Sequence, residues 1–101
     1  MQALIVGADR VRGVRDEILR AAPRLGIEQV EHWPGRKASE NHRRVSNRTG
    51  LVVFLCDRSN HMLMQNVRRQ AEARGIPMVF CRHSGAQVRG LLEALAPVKP
   101  A

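Results

Sequence analysis

Aromatic residues are nearly missing from this 101-residue chain: Trp33, Phe54, Phe80 and no tyrosine. Proteins that grip single-stranded nucleic acid stack bases on aromatic rings, so that mode has little to build on here. Cysteine is scarce as well, with only Cys56 and Cys81. Two cysteines in a non-secreted chain make no disulfide framework. Each closes an apolar run, and both read as reduced, small, half-buried residues. No run approaches the roughly 18 apolar residues that a membrane span needs. The sequence passes straight into Ala3-Leu4-Ile5-Val6 with no basic segment before it and no cleavage pattern after it. No signal peptide is predicted, and a cytoplasmic location is expected.

Negative charge is also in short supply. Seventeen Lys and Arg face nine Asp and Glu, for a net charge of +8. Anionic partners follow from that balance: phosphate, nucleotide, nucleic acid or acidic protein. Arginine outnumbers lysine fifteen to two, a bias that a GC-rich genome also produces. The apolar share of 44% is ordinary for a globular chain. One α/β domain over residues 1–96 is predicted, with a flexible tail over 97–101.

Residues 2–6 are a short apolar run ending at Gly7. Val11, Val14, Ile18, Ala21, Ala22 and Leu25 recur at helical spacing over 11–25, with Pro23 shortening or kinking the last turn and Gly26 as C-cap. Residues 27–32 read as a strand, closed by the Pro34-Gly35 turn. Residues 37–48 are the most polar segment, and a solvated helix is predicted there. The run 51–56 (LVVFLC) is apolar on both faces, as a strand covered on two sides should be. Residues 60–74 form a helix with Leu63, Met64, Val67 and Ala71 inward, capped by Ser59 or Asn60 and by Gly75. A buried strand over 76–81 follows, with Pro77 tolerated at its start. A last helix over 85–96 rests on Val88, Leu91, Leu92 and Leu95.

Strands alternating with helices predict a parallel sheet with right-handed crossovers. The expected architecture is a three-layer, Rossmann-like or flavodoxin-like sandwich. It has four parallel strands in the order 2-1-3-4 and helices on both faces. Open sheets of this kind bind ligands at the carboxyl ends of the strands, at the point where the order reverses. That crevice lies between the first and third strands. Its lips are Gly7-Ala8-Asp9-Arg10 and Asp57-Arg58-Ser59-Asn60-His61, flanked by His32–Gly35 and Arg82–Gly85. Helix N-termini point at this edge with free N–H groups and partial positive charge. Gly7, Arg10, Arg58, Ser59, Asn60, His61 and Ser84 are therefore the residues expected to hold a ligand.

Several familiar sites fail on spacing. A receiver domain would use Asp57 as phospho-acceptor, but needs an acidic pair after the first strand and a fifth strand; only Asp9 is present. The phosphatase pattern C-x5-R meets Met62 after Cys56 and Gln87 after Cys81. No G-x4-G-K-[ST] loop occurs, and Gly7 with Gly13 does not make G-x-G-x-x-G. His32, His61, His83, Cys56 and Cys81 are good ligands for a transition metal or haem, but none stands at a local metal-binding spacing. A metal site would have to be assembled by the fold. His42 reads as simply exposed.

Short motifs run along nearly the whole chain: Gly7-Ala8-Asp9-Arg10 after the first strand, His32-Trp33-Pro34-Gly35 after the second, the buried Val52–Leu55, Ser59-Asn60-His61 opening a helix with Arg68-Arg69, and Gly75-Ile76-Pro77 before the last strand. In these the chain resembles a widespread bacterial family of small domains of unknown function. It departs from that pattern where Gly-Gly becomes Gly7-Ala8, where paired histidines become Glu31-His32, where Asn60 is inserted, and where a helix lysine becomes arginine. The resemblance implies a Rossmann-like fold and directs attention to His32 and His61. It implies no reaction.

The function expected from these features is a non-catalytic binding or regulatory domain for a small anion of phosphate or nucleotide type. The alternative is a metal- or haem-binding redox or gas sensor using His61 with His32, His83 or a cysteine. A third reading is association with nucleic acid through the Arg-rich residues 36–48. An open four-stranded sheet leaves two edges, so a homodimer is expected. No catalytic residues and no membrane partner are assigned.

Overall fold

The computed structural model describes residues 1–58 and 60–95. Strand β1 (Gln2–Val6) leads to helix α1 (Arg12–Leu25) and strand β2 (Gln29–Trp33). A 3-10 turn (Ala38–His42) and an extended segment reach β3 (Thr49–Leu55). A second 3-10 turn (Cys56–Arg58) precedes α2 (His61–Arg74), and β4 (Met78–Cys81) and α3 (Gly85–Ala94) follow. The four strands are all parallel, in the order β2-β1-β3-β4. The predicted sheet is thus the observed one.

The two-sided apolar runs explain the layers. Side chains alternate across a strand, so odd and even positions feed different cores. Ala3, Ile5, Leu51, Val53, Leu55 and Val79 pack with Val14 and Ile18 of α1 and Val88 and Leu92 of α3. Leu4, Val6, Val52 and Phe54 pack with Leu63, Val67 and Ala71 of α2. Burying such side chains contributes roughly 1.5–3 kcal/mol each before entropy is charged. At the β4 edge the Phe80 ring lies parallel to Phe54, with centroids 4.8 Å apart, and remains 43% exposed.

The predicted helix over 37–48 is not there. Only the 3-10 turn Ala38–His42 forms, and residues 43–48 are irregular. The segment has one buried apolar side chain, Val45, so no helical stripe exists to be buried. Its backbone groups are satisfied by side chains of α2 instead. Asn66 and Gln70 each donate to the Arg43 carbonyl at 2.9 Å, and the Val45 N–H donates to Gln70 Oε1 at 2.8 Å. Arg74 donates to the Val45 and Ser46 carbonyls at 2.9 and 2.7 Å. The Arg43 guanidinium lies 4.3 Å from the centre of the buried Trp33 ring.

Smaller differences have local causes. β2 runs two residues later than predicted at its start and one later at its end, which places Trp33 inside it. α1 continues through Pro23 to Leu25, since a missing N–H that close to the end costs only a bond of the last turn. Gly26, at φ 71°, closes that turn with its N–H on the Ala22 carbonyl. Leu91, predicted inward, is 36% exposed. Cys81 is buried, whereas Cys56 is exposed. The expected tail, 97–101, lies outside the described residues.

Candidate functional site

All four strands point the same way, so four loops meet at one rim. The first follows β1. Gly7 and Ala8 both take positive φ, 104° and 61°. Glycine adopts such angles freely, but the Cβ of alanine adds strain of about 1–2 kcal/mol. His32 on neighbouring β2 holds this turn: its Nε2 lies 2.9 Å from both the Gly7 and the Ala8 carbonyl oxygens. Two carbonyls can only accept, so Nε2 carries the proton and donates to both. The Gly7 N–H donates to the Trp33 carbonyl at 2.9 Å, extending the β1–β2 pairing into the turn.

From this turn the chain enters α1 with Val11 as N-cap, and no side chain caps that end. The opening amides of α1 therefore keep their donors and the positive end of the helix dipole. The start of α3 lies beside it. A Cβ built on Gly85 would sit 3.7 Å from the Gly13 carbonyl oxygen, ordinary contact distance, so the two helix starts lie within touching range. Between the loops that lead into these two helices lies a groove of about 310 Å³ lined by Ala8, Asp9, Arg10 and His83. Asp9 is spoken for: Arg36 Nε donates to its Oδ1 at 2.6 Å and holds its carboxyl below the ordinary range. Arg10 forms no ion pair among the described residues. The His83 N–H donates to Asp57 Oδ1 at 2.9 Å, tying the loop after β4 to the end of β3.

The other half of the rim belongs to α2. Asn60 is its N-cap, accepting at Oδ1 from the N–H groups of Met62 (2.9 Å) and Leu63 (3.4 Å). Its Nδ2 donates to the Gly35 carbonyl at 3.2 Å and to Asn41 Oδ1 at 2.8 Å. Asn60 is thus a cap and a staple between α2 and the loop after β2. His61 is exposed on the first residue of α2. Ser84 caps α3 in the same way, its Oγ accepting from the Gln87 N–H at 3.3 Å. Ser59 lies outside the described residues, as does the side chain of Arg58.

The two thiols meet at one acceptor. Cys81 Sγ and Cys56 Sγ lie 3.6 and 3.9 Å from the Phe54 carbonyl oxygen. Burial, with Cys56 and Asp57 nearby, pushes the Cys81 thiol up to about 11. No three His, Cys, Asp or Glu side chains among the described residues are grouped so as to hold a metal ion.

A family model described as "Uncharacterized protein conserved in bacteria (DUF2325)" matches residues 2–95, which include every strand, every helix and the whole rim. The chain belongs to this family. No curated protein and no solved structure matched the chain.

Within this member of DUF2325 the expected site residues separate into two sets. Gly7, Arg10 and Ser84 gather around the α1–α3 side of the rim, while Asn60 and His61 stand on the α2 side. Three contributors were not anticipated: the Asp9–Arg36 pair, the Asp57–His83 tie and the bifurcated hydrogen bond from His32 to the turn. The first two join residues standing just past strands, so topology alone could have nominated them. The third depends on the rotamer of one ring and leaves no trace in spacing. Among the described residues no helix is long and apolar enough to cross a membrane.

Proposed function

We propose that this DUF2325 member is a non-catalytic binding or regulatory domain that holds a small anion, of phosphate or nucleotide type, at the carboxyl edge of its sheet. The observation that carries this reading is the groove beside Ala8. It offers Arg10, which forms no ion pair among the described residues, two positions before a helix whose start no side chain caps. Charge and free N–H groups together are what a phosphate needs. The donors of Met62 and Leu63 already have an acceptor in Asn60, so α2 contributes the exposed His61 rather than a second set of open amides. The alternative, a metal or haem sensor, has no comparable observation behind it. His32 spends Nε2 on two carbonyls, and Cys81 is a buried, protonated thiol.

Calorimetric titration with inorganic phosphate, a nucleoside monophosphate and a nucleoside diphosphate tests the proposal. Removing a charge-assisted hydrogen bond costs about 1.5–3 kcal/mol, so Arg10→Ala should weaken the best of these probes roughly tenfold or more. His61→Ala should have a smaller effect in the same direction. Both should leave the melting temperature nearly unchanged, since both side chains are exposed. If both variants melt several degrees lower and bind unchanged, the residues are structural and the reading fails.

A further inference from the structure

A second feature runs along α2, on the face of the sheet opposite α1 and α3. The charge of this chain is unevenly placed. Residues 36–48 and 61–74 carry eight basic and two acidic side chains, a net +6 of the total +8. The segment after β2 lies against α2, and a groove runs between them. Toward the C-terminal end of α2 it opens to about 530 Å³ among His42, Arg43, Arg44, Asn47, Gln70 and Arg74. Toward the N-terminal end a smaller hollow of about 90 Å³ adjoins it at His42, lined also by Asn41, Met62, Asn66 and Arg69. No Asp or Glu lines either part. The helical contributors follow one stripe of α2 at spacings of three and four residues, so the groove tracks the helix axis. Fourteen residues of helix give it a length of about 20 Å.

The basic walls are held in place. Arg74 is anchored on the carbonyls of Val45 and Ser46, and Arg43 lies over the face of Trp33 and pairs with Glu40 Oε1 at 3.7 Å. Arg44 and Arg69 are exposed and form no ion pair among the described residues. Among the amides of the lining, Asn41, Asn47 and Gln65 can each donate to an oxygen, while Asn66 and Gln70 are already donating to the Arg43 carbonyl. An elongated, positively charged trough whose lining includes no carboxylate fits a row of phosphates.

We propose that this groove docks the phosphodiester backbone of double-stranded nucleic acid without reading its sequence. The duplex is favoured over a single strand because the trough has no aromatic side chain on which to stack bases. It is a separate surface from the anion groove at the rim, and neither proposal rests on the other.

Fluorescence anisotropy with a labelled, mixed-sequence DNA duplex of about 20 base pairs tests it. Four arginines engaging four phosphates give a salt slope near −3.6, so affinity should fall roughly a hundredfold between 50 and 200 mM salt. The Arg44→Ala/Arg69→Ala pair should lose about tenfold at 50 mM salt and flatten the slope by nearly two. Arg15→Ala/Arg20→Ala removes the same charge from α1, in the opposite layer, and should change affinity less than twofold. Scrambling the duplex sequence should change nothing. Four results would overturn the inference: no binding at 50 mM salt, equal losses in the two double variants, tighter binding of the single strand, or displacement of the duplex by polyglutamate at matched charge. Arg10→Ala should not affect this assay, which keeps a failure here distinct from a failure at the rim.

Discussion

The two helical layers that sandwich the sheet are held by different means. On one side α1 and α3 lie against each other. Their shared apolar core is bordered by one bidentate pair, Arg89 Nε and Nη2 on the two oxygens of Glu17 at 2.9 and 2.7 Å. Arg24 reaches from α1 to the last carbonyls of α3, at Leu92 and Leu95. On the other side, among the described residues, α2 stands without a second α-helix. The partner beside it is the segment 34–48, fastened by Asn60, Asn66, Gln70 and Arg74. A layer made of two helices can rely on interdigitated side chains. A layer made of a helix and an irregular chain must give each buried backbone group a partner, and here helix side chains supply them.

That contrast can be tested by substitution, beginning with the cores. Ile18→Ala on α1 and Leu63→Ala on α2 should each cost about 2–5 kcal/mol in denaturant unfolding, because both side chains are fully buried. The contrast concerns how the surroundings are fastened, so the two costs should match. A much cheaper Leu63→Ala would mean that α2 is poorly packed. Turns should separate the layers next. Gly35, at φ 80°, would place a Cβ 3.1 Å from Leu63 Cδ2 and 3.2 Å from Asn60 Cβ, whereas Gly26, at φ 71°, meets nothing within 4 Å. Gly35→Ala should therefore cost about 2–3 kcal/mol, against about 1 kcal/mol for Gly26→Ala, with backbone strain common to both. Equal costs would show that the loop yields freely and is not fastened as described.

The smallest effects are expected with pH. The bond from Arg89 holds the Glu17 carboxyl below its ordinary value in the folded chain. Its stabilisation is present above the unfolded value near 4.5 and is lost as pH falls through the folded one. Arg89→Ala should flatten that acid limb, read as the denaturant midpoint against pH. Cys81 works in the opposite sense. Its thiol is raised to about 11 against 9.0 unfolded, so stability should decline as pH climbs through that window. Cys81→Ser should shift that alkaline limb, and no substitution on α2 should affect either limb.

The same contrast explains what could be read before the fold was known. The strand order, the parallel direction and all three α-helices were legible, because apolar periodicity and the glycine caps Gly26 and Gly75 are local signals. The rim was legible for a geometric reason: co-directional strands deliver their loops to one edge. Residues 37–48 were misread because their polarity resembles a solvated helix. The bonds that decide otherwise come from residues 66, 70 and 74, and no local pattern announces a bond across more than twenty residues. The tie from His32 to the Gly7-Ala8 turn was invisible for the same reason. That tie also holds Ala8, a residue with a Cβ, at a positive φ of 61°.

The ligand site we propose is the edge between β1 and α1. Amide NMR spectra recorded while inorganic phosphate or a nucleoside monophosphate is added locate the contact directly. The account predicts saturable shifts confined to Gly7–Val11, the first turn of α1 and His83–Gly85, with the core strands unmoved. Shifts that stay linear with concentration, or that cluster on another surface, would contradict it.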